Sequence, residues 1–186
     1  HLRRSKTAPQ RLPLLTSTCA GVEGVLYHVS GTRARCLIDG ELKQFLESGH
    51  VCVVATRDAG LRPDWGHAAG VRVLKDRCVL FLESTTGARS LNNLRDNGMI
   101  AAVISEPATH RSIQLKDRNA RIREMNAAEK RLAARLAQSA RQGVIEVGIA
   151  PRVAASWNFE TLVAVEFELT GVFDATPGPK AGAEVK

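Results

Sequence analysis

The chain has 186 residues, 44% of them hydrophobic, and a formal net charge of +7. This length favours one domain with modest extensions, and without an apolar run of about 18 residues no membrane-spanning helix is predicted. The charge is uneven, because residues 1–38 carry six basic residues and one acidic residue whereas the remainder carries twenty and eighteen. A nucleic-acid-binding domain usually carries its basic surface on the folded domain itself, so the distribution favours a solvated arm over a nucleic-acid partner.

Residues 1–38 show no clean hydrophobic period and contain Pro9 and Pro13. We expect them to form a basic N-terminal arm that is poorly ordered or not native to the domain. The folded domain is expected to span residues 39–175, and a Pro- and Gly-rich tail to span residues 176–186.

Residues 39–60 predict a capped helix, a strand and a turn. Asp39 can cap a short helix whose apolar face holds Leu42, Phe45 and Leu46, at the i, i+3, i+4 spacing of one helix face. Gly49 can end that helix. The apolar run 51–56 has the length of a strand, and residues 57–60 favour a hairpin turn.

Residues 63–105 predict three more strands and a second helix. Pro63 suits the start of a strand, and Gly66 and Gly70 would let another backbone or a ligand approach closely. Residues 75–77 favour a turn and residues 78–82 a strand. A short helix follows the Thr-Thr-Gly segment and closes at Gly98, and residues 99–105 form an apolar strand.

Residues 111–123 alternate, with Ile113 and Leu115 on one face and Gln114 on the polar face. Asn126 and Glu129 have the spacing of a capping box, which predicts a helix that ends at Gly143. Residues 162–173 form a last alternating strand, and the Thr-Pro-Gly-Pro segment 176–179 stops it, starting a tail that should not join the sheet. About six strands and three helices indicate a mainly β, α+β fold, a closed or nearly closed antiparallel barrel with peripheral helices.

One segment, residues 83–90, carries residue types suited to an anion. Unpaired amides at a helix N-terminus favour negative charge, and Arg89 offers a fork that matches phosphate. The hydroxyls of Thr85, Thr86 and Ser90 can donate to phosphate oxygens. The alternative is an ordinary helix cap with a solvent-facing arginine.

The order of these segments resembles the pyridoxamine 5'-phosphate oxidase-like flavin-binding proteins. The resemblance covers residues 39–182 and rests on the run 53–74, the Leu-Asn-Asn-Leu-Arg-Asp-Asn helix 91–97, the segment 109–116 and the Thr-Pro-Gly-Pro ending. It implies a homodimeric split β-barrel with FMN in each of two interface clefts. Thr85, Thr86, Arg89 and Ser90 match the family's phosphate loop, and Gln114 lies on the strand that often reaches the flavin ring.

Two departures from the family pattern concern the phosphate. Family members often place a lysine where this chain has Ser90, and an arginine near the segment Asp64-Trp65-Gly66-His67. Each missing charged hydrogen bond weakens the binding free energy by on the order of 1.5–3 kcal/mol if no other group replaces it. The resemblance therefore leaves two alternatives, an FMN-dependent oxidoreductase of unknown substrate and a non-enzymatic binding module for a flavin, haem or deazaflavin.

His67 is either a ligand-pocket residue suited to proton transfer near neutral pH or a hydrogen-bonded edge histidine. Gln114 contacts either a flavin ring or solvent. Trp65 and Trp157 either stack on a flavin or anchor the core or a dimer. No residue is assigned as catalytic, and the chain shows no nucleophile elbow, nucleotide-binding glycine loop or zinc-protease motif. That pattern is typical of chemistry supplied by a cofactor.

The four cysteines lack the paired spacing of zinc sites. Cys52 and Cys78 lie in apolar runs and are predicted to be buried. This cysteine usage favours a reducing compartment, and we expect the protein to be cytoplasmic.

Overall fold

The protein is described by a computed structural model that covers residues 38–75 and 77–185. Residues 1–37 of the predicted arm, with Cys19 and Cys36, lie outside the described residues. The strands are β1 (Val51–Arg57), β2 (Pro63–Val73), β3 (Arg77–Glu83), β4 (Ile100–Ser105), β5 (Ser112–Asp117), β6 (Arg121–Arg123), β7 (Leu162–Glu168) and β8 (Gly171–Asp174). The helices are α1 (Gly40–Leu46), α2 (Ala88–Asn97), α3 (Ala127–Glu146) and α4 (Pro151–Ala155).

All these strands belong to one antiparallel sheet with the order β6-β7-β3-β2-β1-β4-β5-β8. The sheet curves around a core to which every strand contributes apolar side chains. Its fully buried members include Val54, Leu80, Leu82, Ala102, Leu115, Val165 and Val172. The predicted fold class, an antiparallel barrel-like sheet with peripheral helices, is confirmed.

Helices α1 and α3 begin where the sequence predicts, whereas the short helix α4 was not predicted. The Asp39 carboxylate accepts the Leu42 amide at 2.7 Å, and Asn126 and Glu129 form the reciprocal bonds of a capping box. Helix α3 packs on the convex side of β2, β3 and β7. At Gly70, where φ is +149°, a Cβ atom would lie 2.8 Å from Leu136 Cδ1. This close approach and the positive φ both favour glycine there.

Two predicted strands are each divided in the structure. The Ala120 amide donates to the Gly98 carbonyl at 2.9 Å, so the chain turns after β5 and β6 pairs with β7 instead. In the second case β7 pairs with β3, whereas β8 pairs with β5. The alternation of apolar and polar residues continues through both segments. It therefore gives no sign of the two turns at which the chain crosses to another part of the sheet. Helix α3 also continues beyond Gly143, because Val144 on its last turn is buried.

The expectation that the C-terminal tail cannot join the sheet is wrong. Pro177 and Pro179 lie in a turn, after which the chain returns to β8. The Asp174 amide donates to the Ala183 carbonyl at 2.9 Å, and Phe173 pairs with Glu184. Proline bars only its own residue from donating a hydrogen bond, so the residues beyond the turn can pair.

Cys52 and Cys78 are free and buried, as predicted. Burial raises the pKa of each thiol to about 12, so neither is a thiolate nucleophile at neutral pH. None of the helices described here is long and apolar enough to span a bilayer. Within residues 38–75 and 77–185, no three His, Cys, Asp or Glu side chains form a group that could hold a metal ion.

Candidate functional site

The predicted phosphate loop follows β3 and leads into α2, and a buried carboxylate already binds its amides. Glu83 is 2% exposed. One of its oxygens accepts the Thr85 amide at 2.8 Å and the Thr161 hydroxyl at 2.9 Å. The other accepts both the amide and the hydroxyl of Thr86 at 2.6 Å. The amides that this carboxylate occupies therefore precede the helix, whereas the first turn of α2 has no side-chain cap, as the sequence predicts.

Glu83 is ionised at neutral pH. Burial by itself would raise its pKa, but the hydrogen bonds from Thr86, Thr85 and Thr161 together lower the pKa of Glu83 from 4.5 to about 2. Donors that favour the charged form of an acid have this effect. At neutral pH the loop therefore contains a negative charge of its own, at the place where the sequence predicts a binding site for an anion.

Glu83 should make the stability of the fold depend on acid pH. A group whose pKa is lower in the folded state contributes stability above its unfolded pKa, and that stability is lost as the pH falls toward the folded pKa. Between pH 5 and pH 3 we expect this carboxyl group to cost about 2 kcal/mol of unfolding free energy. Urea unfolding of the wild type and Glu83→Gln across this range should show the difference. Equal losses in the two proteins would contradict the assignment.

Ser90, the fourth predicted phosphate ligand, points into the fold. It is fully buried, and its hydroxyl donates to Asp64 Oδ2 at 2.7 Å. Thr56 donates to Ser90 at 3.2 Å and accepts a 3.0 Å bond from Asn93. Ser90 therefore belongs to a buried polar network that joins β1, β2 and α2.

Arg89 is the one predicted loop ligand with an uncommitted charge. Its side chain is exposed, and within the described residues it has no hydrogen bond or ion pair. The Thr85 hydroxyl is already hydrogen-bonded within the protein, since it lies 2.7 Å from the Thr161 hydroxyl. A phosphate at this loop would meet Arg89 but also the occupied amides of Thr85 and Thr86 and the Glu83 carboxylate, so the loop fits the phosphate of FMN poorly.

His67 lies in an aromatic cluster that consists of Trp65, His67 and Trp157. The His67 ring stacks on Trp157 with centroids 5.0 Å apart and meets the edge of Trp65 at 5.3 Å. Partial burial lowers the pKa of His67 below its usual value, so the imidazole is neutral at pH 7. Trp65 remains 62% exposed, which leaves the cluster accessible from solvent.

His67 and Gln114 lie on the same side of the sheet. In register order, His67 pairs with Val53, Val53 with Val103, and Val103 with Gln114. Three strand spacings put the two backbones about 14 Å apart. We call the convex side of β1, β4 and β5, with Val51, Val53, Ala101, Val103 and Gln114, the open face, because these side chains are only half-buried. The predicted residues thus form two groups, one in the loop and one along this face.

A cleft of about 460 Å³ lies at one end of the open face. Its floor is apolar, with Ala55, Ala101, Met99, Gly171 and Phe173. Its cations are Arg57, Lys116 and Arg118, none of which forms an ion pair among the described residues, and its one acid is Asp117, whose carboxylate accepts the Glu168 amide at 3.1 Å. We call this the basic cleft.

The register explains how the basic cleft forms. Ala55 pairs with Ala101, Ala101 with Lys116, and Lys116 with Gly171. Ala55 and Ala101 leave a hollow, whereas the Phe173 ring covers Gly171. The Lys116 ammonium lies 4.5 Å from the Phe173 ring centroid. Trp65 pairs with Ala55 and so stands at the end of the same row.

Sequence reasoning missed Glu83 and the basic cleft for different reasons. Glu83 precedes Thr85 and Thr86 by two and three residues, and a side-chain acceptor at this spacing often binds backbone amides at a turn. The sequence therefore contained a signal for this contact. The three cations come from the ends of β1 and β5, more than fifty residues apart in the chain. Only the strand register brings them together, so no local pattern could have shown the cleft.

No family model matches this chain, and no curated protein does. Several solved structures are similar to it. HupZ from Group A Streptococcus is 18% identical, and the match covers 78% of this chain and 100% of that one with a TM-score of 0.49. A protein from Lactobacillus delbrueckii, described as a candidate pyridoxamine 5'-phosphate oxidase, is also 18% identical, covering 77% and 97% with a TM-score of 0.46.

HutZ, described as the haem storage protein from Vibrio cholerae, is 15% identical, covering 75% of this chain and 95% of that one with a TM-score of 0.44. The identities are too low for an activity to be carried across, and function is inferred from the residues of this chain.

Proposed function

We propose that this chain is an FMN-binding oxidoreductase whose cofactor lies in the basic cleft, beside a second copy of the protein. The observation that carries the proposal is the cleft itself, a hollow with an apolar floor, one carboxylate, Asp117, and three cations that form no ion pair among the described residues. Its volume of about 460 Å³ is within the usual range for small-molecule sites. The choice of FMN among planar anionic ligands rests on the sequence resemblance.

The cations of the cleft match the charged end of such a cofactor. A phosphate monoester carries nearly two negative charges at neutral pH, and Arg57, Lys116 and Arg118 can neutralise them. Charge-assisted bonds of this kind contribute about 1.5–3 kcal/mol each. Arg57 already donates to the Asp58 carbonyl at 3.1 Å, which holds its guanidinium near the cleft.

The apolar floor and the neighbouring side chains suit the ring of the cofactor. Ala55 and Ala101 leave room for a flat group, and Phe173, whose ring covers Gly171, offers an aromatic contact. Gln114 and His67 occupy the next row of the same sheet face. Bound FMN would supply hydride or electron transfer, whereas this chain would orient it, exclude water and accept a proton at the neutral His67 imidazole.

A second copy of the chain is the proposed cover of the open face. Val51, Val53 and Val103 form a half-buried apolar surface without a charged residue among them. In a two-fold dimer the same patch contributes from both subunits, which a self-complementary apolar sheet face allows. Such a dimer would also close the basic cleft from solvent and strengthen its charge interactions.

The proposal is tested by adding FMN to the purified protein and following flavin absorbance and fluorescence. We expect saturable binding, and Lys116→Glu should weaken it about ten- to hundredfold, since one cation is replaced by an anion. Lys130→Glu on the exposed face of α3 makes the same charge change far from the cleft and should leave binding unchanged. Unaltered flavin spectra at saturating FMN, or equal affinities for the two variants, would overturn the proposal.

A non-enzymatic binding module for haem, deazaflavin or another flavin is the second candidate. The observation that favours it is the occupied loop, since a haem carries carboxylates rather than the phosphate that the loop was expected to hold. His67, a neutral imidazole, is the residue type that ligates haem iron. A thermal-shift panel separates the candidates, because a ligand that binds only the folded state raises the melting temperature. Stabilisation by FMN alone would exclude this second candidate.

A further inference from the structure

We propose that Glu83 is a specificity residue, a built-in counter-anion that fills the anion-accepting position before α2 and excludes phosphate groups from it. The proposal does not depend on the identity of the cofactor. It starts from the disagreement between the sequence, which predicts a phosphate loop at residues 85–90, and the structure, in which that loop binds a carboxylate of its own chain.

The contacts of Glu83 match those of a bound anion. Its two oxygens receive four donors: two backbone amides and two threonine hydroxyls, all between 2.6 and 2.9 Å. Those donors come from the loop and from Thr161, just before β7. A phosphate at the same position would use the same donors, so the two anions compete directly.

The backbone holds the loop tightly around this carboxylate. A Cβ atom at Gly87 would lie 2.4 Å from the Glu83 carbonyl oxygen, so the turn closes onto the residue that carries the acid. The Ser84 amide also donates to the Thr161 carbonyl at 2.8 Å, which ties the loop to the strand beside it. The four donors are therefore fixed around Glu83 and are not available to a second anion.

A second acid binds one more of the predicted phosphate ligands. Asp64 accepts the hydroxyl of Ser90 at 2.7 Å, and Ser90 is fully buried. Thus the hydroxyls of Thr86 and Ser90, two of the donors that the sequence predicts for phosphate, are bound by carboxylates of the same chain. A phosphate that approached Arg89 would also be repelled by the charge of Glu83, since like charges disfavour each other at short range. A phosphorylated ligand must therefore place its phosphate elsewhere on the protein.

Chemical rescue tests the proposal without any cofactor. Glu83→Ala empties the position and leaves its donors in place. At matched ionic strength, phosphate or acetate at roughly ten times its dissociation constant should raise the melting temperature of this variant by about 3–6 °C over chloride. The wild type and Glu124→Ala, which removes an exposed carboxylate, should show no such difference between the salts.

If Glu83→Ala is too unstable for a melting measurement, Glu83→Gln and a refolding measurement still test the proposal. Glutamine still fills the position, so Glu83→Gln should fold but gain no stabilisation from either anion. If Glu83→Ala is unfolded in chloride, its refolding yield should rise in acetate or phosphate. The proposal is overturned if the anions stabilise the wild type and Glu83→Ala equally, or if they neither stabilise nor refold the alanine variant. Because flavin is absent, neither result bears on FMN binding in the basic cleft.

Discussion

Replacing Val53 with aspartate is expected to weaken self-association about a thousandfold or more, leaving a folded monomer. The dissociation constant should rise this far because the two-fold axis repeats the change, which buries two unpaired carboxylates at a cost of about 2–3 kcal/mol each. Sedimentation or light scattering across a range of concentrations measures the effect. If the cofactor needs the second copy, FMN affinity should fall in parallel.

A matched control separates loss of the dimer from a general effect of the new charge. Ala134→Asp puts the same carboxylate on α3, at an exposed position away from the open face. It should leave both the mass in solution and the FMN affinity unchanged. A wild-type protein that is monomeric at all concentrations, or a Val53→Asp protein that remains dimeric, would contradict the proposed interface.

Replacing Arg123 with alanine is expected to reduce the free energy of unfolding by roughly 3–5 kcal/mol, because it strands a buried charge. The Arg123 guanidinium binds both oxygens of Glu129 at 2.7 and 2.8 Å, and its Nε donates to Glu166 at 2.9 Å. The Glu129 side chain is only 3% exposed, and Arg123 holds its pKa below the usual value. Urea denaturation at neutral pH gives the loss directly.

The neighbouring strand residue Arg121 provides the control. It is exposed and has no side-chain hydrogen bond or ion pair among the described residues, so Arg121→Ala should change stability by less than about 0.5 kcal/mol. Adding Glu129→Gln to Arg123→Ala removes the stranded charge and should recover part of the loss. If the two single arginine variants were equally stable, the buried ion pair would not contribute as described.

The sequence correctly predicted the elements that are determined by residues close together in the chain. Asp39 and the Asn126–Glu129 pair mark the starts of α1 and α3, and Gly98 ends α2 in a left-handed conformation. The alternation of Ile113 and Leu115 with Gln114 also predicted the two faces of β5 correctly. In each case a few neighbouring residues determine the backbone hydrogen bonds or the buried face.

The elements that were wrong depend on contacts distant in the chain. The bond between Ala120 and Gly98 separates β6 from β5, and Asn119 is only a weak local signal of that turn. The loop before α2 shows the same limit for the site. Hydroxyls and amides can bind either a ligand or a side chain, and the position of Glu83 decides which. The roles proposed for His67, Gln114 and Arg89 remain predictions.

The return of the C-terminal tail to β8 affects how copies of this protein can meet. The Val185 amide donates to the Val172 carbonyl at 2.9 Å, so a neighbouring segment already occupies part of one lateral border of the sheet. The opposite border is β6, which has only three residues. Exposed sheet borders invite the addition of foreign strands and the growth of aggregates. One border is thus partly covered and the other is short, which disfavours the open-ended addition of further copies along the sheet. The open face then remains as the surface through which two copies can form a closed dimer.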